Sequence, residues 1–109
     1  MNGWREEEVR NQTRSRDMNE WIDESNEGAD GGPLSTYVCE CSDGACRSRI
    51  TLTHLEYEEV RADGTWFAIA TNHESPDLDT LISERIGFAI VRKLPGFPAQ
   101  LAIATDPRR

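Results

Sequence analysis

At 109 residues the chain suffices for one small domain and is too short for two. Its formal charge is −8, and no stretch gathers Lys and Arg into the stripe that neutralises a phosphate backbone, so direct nucleic-acid binding is disfavoured. No apolar run approaches the roughly 18–20 residues that span a bilayer, and the opening MNGWREEEVR lacks the apolar core of a signal peptide, so no membrane role and a cytoplasmic location with reduced thiols are expected.

Residues 1–36 carry nine acids and four Arg, a net charge of −5. Their sparse apolar residues include Met18, Trp21 and Ile22 at i, i+3 and i+4, which predict an amphipathic helix over about 5–24. The segment 25–35, SNEGADGGPLS, reads as a flexible linker. Residues 1–35 are therefore expected to form an acidic helix or arm ahead of a denser domain, 36–109, and loss of residues 1–30 is expected to leave that domain folded.

Thr36–Cys39 predicts a short strand, Ser42-Asp43-Gly44 a turn, and Arg49–Leu52 a second strand. A helix then opens on a capping box, Thr53 with Glu56, flanked by Leu52 and Tyr57 at staple positions. It ends near Asp63, with Gly64 suited to a left-handed cap. Trp66–Ala70 predicts a core strand. Ser75-Pro76-Asp77, followed by Leu78, Leu81 and Ile82, predicts a helix to about Arg85. Phe88–Arg92 predicts a strand, and about 98–105 a last short helix. The alternation suggests an α+β domain with a small sheet and the Cys loop at one end.

The three cysteines, Cys39, Cys41 and Cys46, stand as C-x-C-x4-C within eight residues. Three soft thiolates so close together suit zinc, which takes four N or S ligands tetrahedrally. His73, in a loop after a core strand, is the preferred fourth ligand; His54, a carboxylate or water are the alternatives. Buried structural thiols, a disulfide with one thiol left over, and an iron–sulfur cluster fit the spacing less well.

Tyr37-Val38-Cys39-Glu40-Cys41, Cys46, the stretch Leu52-Thr53-x-x-Glu56-Tyr57-Glu58-x-Val60-Arg61, His73-Glu74 and Thr105-Asp106-Pro107 follow one another in order. Together with Arg16-Asp17-Met18-Asn19-Glu20-Trp21-Ile22 they resemble a family of small uncharacterised bacterial proteins. Its members read F-V-C-E-C, C, L-T-x-x-E-Y-E-x-V-R, P-G-H-E and T-D-P-R. The resemblance covers about 16–108 and implies that Cys39, Cys41, Cys46 and His73 form one site; it implies no activity. One departure is Thr71-Asn72-His73 in place of P-G-H, which keeps the His and changes its turn.

Three Cys and one His fill a zinc coordination sphere, and no G-x-S-x-G, H-E-x-x-H or phosphate-cradling loop is present. A non-enzymatic, zinc-stabilised regulatory or protein-interaction module is thus expected, with an unidentified protein partner meeting the acidic arm. The alternatives are transcription-related nucleic-acid binding, should Arg47, Arg49, Arg61, Arg85 and Arg92 converge, and zinc or redox sensing through the cysteines.

Overall fold

The computed structural model describes residues 3–25 and 34–108, with side chains from residue 6 onward. Most of the expected linker and the Trp4 side chain lie outside these residues. The described chain is an α+β domain of three helices and two small antiparallel sheets. Its elements are α1 (Gly3–Ser25), β1 (Ser35–Val38), β2 (Arg49–Leu52), α2 (His54–Arg61), β3 (Trp66–Ile69), β4 (Asp79–Arg85), β5 (Phe88–Lys93) and α3 (Phe97–Ala104). No described helix is long and apolar enough to cross a membrane.

β1 and β2 form one sheet, with Tyr37 opposite Ile50; the other sheet has the order β3-β5-β4, with Phe67 opposite Val91. Phe88–Val91 of the central strand is buried throughout, because both faces of its sheet are covered. The period of two divides the residues. Ala68, Phe88 and Ile90 pack with Tyr37, Ile50, Leu52, Tyr57 and Val60. Phe67, Ile69, Ala89 and Val91 pack with Cys39, Cys41 and Ala102. The Tyr37 and Tyr57 rings stack with centroids 4.7 Å apart.

The capping box of α2 forms as expected: Thr53 Oγ1 accepts the Glu56 N–H (3.1 Å) and Glu56 Oε1 accepts the Thr53 N–H (2.8 Å). Gly64 does not take the left-handed cap expected of it, since the helix ends in a right-handed Ala62. The glycine serves close approach instead: a Cβ there would lie 2.7 Å from Asp106 Oδ2.

The helix expected over 75–85 is a strand. Ser75-Pro76-Asp77 does start one turn, with the Leu78 and Asp79 N–H groups both donating to Ser75 O, but the chain then extends as β4. It pairs with β5 through a tight Ile86-Gly87 connection, with a bulge between Leu81 and Ser83. Gly87 has φ +91, and a Cβ there would sit 2.7 Å from Thr51 O. The i, i+3, i+4 spacing of Leu78, Leu81 and Ile82 imitates a helix, but the hairpin's pairing outweighs that local preference.

α1 forms over the expected range but docks through a different face. Val9, Gln12, Thr13, Arg16, Asn19 and Asp23 are buried, whereas Met18 and Trp21 are exposed; of the expected apolar trio only Ile22 packs against the core. Arg16 is fully buried, donating to Gly64 O (3.1 Å), Ala102 O (3.0 Å) and Thr105 Oγ1 (3.2 Å), with its guanidinium 4.9 Å from the Phe67 ring centroid. Lys93, also buried, contacts Gln12 and Asp79.

Candidate metal centre

The β1–β2 loop delivers the three cysteines. Cys39 leaves β1 with its N–H on Ser48 O (3.2 Å), and the Glu40 N–H bonds Ala68 O (2.9 Å), so the loop's start is pinned to both sheets. Asp43 curls the tip. Its side chain accepts the Ala45 N–H (2.9 Å) and its carbonyl accepts the Cys46 N–H (3.0 Å), an Asx turn of the kind Asp-Gly sequences favour. α1 braces the outside through Asn11, whose Nδ2 donates to Ser42 O at 2.9 Å.

His73 comes from the turn after β3, closed by its own N–H on Ala70 O (3.1 Å). Asn72 sits in that turn at φ +69. Asn enters the left-handed region more readily than most side chains, so the turn survives without the glycine of a P-G-H sequence.

Cys39, Cys41, Cys46 and His73 thereby come together, their donor atoms all within 4.8 Å of one another, a set able to hold a metal ion. His73 Nδ1 lies 3.6 Å from Cys39 Sγ and 3.6 Å from Cys46 Sγ. Main-chain N–H groups point at the sulfurs, among them Ala70 to Cys39 (3.1 Å) and Ser48 to Cys46 (3.4 Å). Such donors favour thiolate charge. Cys39 and Cys41 are buried, and Cys46 is half-buried. A hydrogen bond from Cys39 pulls the Cys41 thiol down to about 5, while the same bond, with burial, pushes Cys39 up.

Behind the cysteines stands Glu40, fully buried. Its Oε2 accepts Tyr57 OH (2.6 Å) and Asn19 Nδ2 (2.8 Å), and its Oε1 accepts the Ala68 N–H (2.8 Å). Asn19 also grips Val38, accepting its N–H (2.9 Å) and donating to its carbonyl (2.8 Å). Burial raises the Glu40 pKa, opposed by these donors. One carboxylate thus ties α1, α2 and β3 to the residue between two cysteines. Nothing in the sequence pattern assigns Glu40 a role beyond its place between two cysteines, which is the signal that marks it.

His54, the alternative fourth ligand, is elsewhere. Its Nδ1 is 2.9 Å from Asp23 Oδ1, and with Glu58 the two form a second donor group. Arg47, Arg49, Arg61, Arg85 and Arg92 do not converge on one basic face. Arg61 is buried against Glu20 and Asp106, and Arg85 pairs with Glu59 (3.0 Å). Arg47 and Arg49 join Arg14 around a concavity of about 510 Å³ beside Cys46, and Arg92 is exposed on β5. No family model matches the chain, and no curated protein or solved structure is significantly similar to it.

Proposed function

We propose that the protein is a zinc-stabilised, non-catalytic cytoplasmic module that binds a protein partner through the exposed face of α1. The donor set supports zinc: three thiols and an imidazole suit a closed tetrahedral site, and thiolate ligands persist in a reducing compartment. With Zn–S about 2.3 Å and Zn–N about 2.1 Å, the S···N edge of a tetrahedron is about 3.6 Å. That equals the separation of His73 Nδ1 from Cys39 and from Cys46. Cys39, Cys41, Cys46 and His73 would fill the sphere, leaving no position for a substrate.

One observation carries the interaction reading. α1 buries a polar face, yet leaves Trp21 69% and Met18 54% exposed among acidic residues. Folding alone favours the reverse, so the exposed apolar pair supports contact with another molecule. Aromatic residues and methionine are enriched at interfaces, and acidic surroundings steer a basic partner. The test is capture of a partner from the source cell at low and high salt, with wild type against Trp21→Ala. A partner held by wild type, released by salt and weakened by the substitution is the expected result. No partner at either salt, or turnover by the purified protein, would overturn the reading.

A further inference from the structure

Beneath Trp21 lies a cavity of about 760 Å³ between α1, the first turns of α2 and the segment leading to Arg108. Five lining carboxylates, Asp17, Glu20, Asp23, Glu24 and Glu58, face a single lining arginine, Arg108. Arg108 is held on the floor. Its Nε and Nη2 bond Glu20 (2.6 and 2.7 Å), its Nη1 and Nη2 bond Glu58 (2.9 and 2.8 Å), and Nη2 reaches Asp23 (3.3 Å). The cavity therefore already receives one guanidinium, by the bidentate geometry that distinguishes arginine from lysine.

Asp23, His54 and Glu58 also form a donor group that could take a divalent cation. Both carboxylates are engaged by Arg108, and Asp23 further accepts Tyr37 OH (2.7 Å) and contacts His54, so a metal would have to displace bonds already made. The unspent capacity lies at the rim. Asp17, Trp21 and Glu24 fall at i, i+4 and i+7, one face of α1, and all three are exposed. Among the described residues Asp17 and Glu24 form no ion pair, while an exposed indole stands between them. An indole face flanked by two carboxylates is suited to a guanidinium, which stacks on the ring while its N–H groups bond the acids.

We propose that this cavity binds the arginine side chain of a basic segment in the protein partner, with Trp21 as stacking face and Asp17 and Glu24 as its acids, above a floor held by Arg108. The proposal rests on the protein-interaction reading and specifies the partner's chemistry. Arginine binds beside Arg108, using the surplus negative charge, and leaves the floor intact.

The experiment uses the full chain loaded with zinc and titrated with a blocked Gly-Arg-Arg-Gly peptide, its citrulline isostere and its lysine counterpart, followed by two-dimensional NMR. The arginine peptide should move the Trp21 indole signal and the Asp17 and Glu24 amides, the lysine peptide should bind several-fold more weakly, and the uncharged citrulline peptide should not bind. Trp21→Ala and Asp17→Asn/Glu24→Gln should each weaken binding about tenfold with melting temperatures unchanged, and Trp21→Phe should retain part of it. No response at millimolar arginine peptide, equal response to citrulline, or shifts confined to another face would overturn the proposal. A salt-sensitive partner still captured by Asp17→Asn/Glu24→Gln would sink the cavity and spare the interaction reading, whereas absence of any partner would sink that reading itself.

Discussion

Glu40 sits between two candidate ligands, is fully buried, and accepts hydrogen bonds from three donors. A carboxylate satisfies that arrangement because both its oxygens only accept. An amide does not, since one end must present N–H groups to Tyr57 and Asn19 or to the Ala68 N–H. Glu40→Gln should therefore destabilise the fold by about 2 kcal/mol, read by chemical denaturation. A variant within a few tenths of a kcal/mol of wild type would refute the account of this hub. The cluster of Cys39, Cys41, Cys46 and His73 was legible because the three cysteines are close in sequence and His73 follows a core strand. Glu40, Asn19 and Arg16 were not, because buried polar residues look like surface residues until their partners arrive from distant segments.

Among the elements, β1, β2, α2, β3, β5 and α3 were legible, announced by a cap, a turn or an apolar run. β4 was not, since three apolar residues at helical spacing after a genuine N-cap signal outweighed a strand whose pairing depends on β5. α1 was found in place, but its docking face was hidden by the same polarity that hides Arg16 and Asn19. The described contacts bear on whether residues 1–30 are dispensable. Arg16 donates into the α2–β3 and α3 regions, Gln12 meets the buried Asp79–Lys93 pair, and Asn19 supports both Glu40 and β1. Deleting residues 1–25 strips partners from several buried polar groups, each costing about 1–3 kcal/mol when left unsatisfied, a sum comparable with the stability of a typical small domain. The shortened chain is expected to lose its cooperative melt and its dispersed NMR spectrum; a melting temperature close to that of the full chain would show α1 to be an accessory.

For the whole molecule, the acidic surplus of a chain with net charge −8 is organised around a few arginines that join its ends. Arg61 links Glu20 of α1 to Asp106, and Arg108 links Glu20 and Asp23 of α1 to Glu58 of α2. Hydrogen bonds from Arg108 hold the Glu58 carboxyl well below its ordinary 4.5, at about 2. A carboxyl with a depressed folded pKa contributes stability above about pH 4.5 that is lost as pH falls towards 2. Glu58→Gln should thus lower stability near neutrality by up to about 1 kcal/mol, as expected of a partly exposed pair, and the gap to wild type should close between pH 4.5 and 2. Burial pushes the Asp23 carboxyl up, so the informative quantity is this gap rather than the wild-type slope. Denaturation curves across that window test it, and a gap independent of pH would contradict it.

The central claim is that Cys39, Cys41, Cys46 and His73 together hold one structural zinc. Native mass spectrometry of the full chain, beside Cys41→Ser, addresses it most directly. The predicted result is one zinc per wild-type chain and its loss from the variant, accompanied by loss of a cooperative melt, because binding a structural zinc is folding free energy. A wild-type chain that is metal-free yet folded and monodisperse, or a Cys41→Ser variant that melts like wild type, would contradict it.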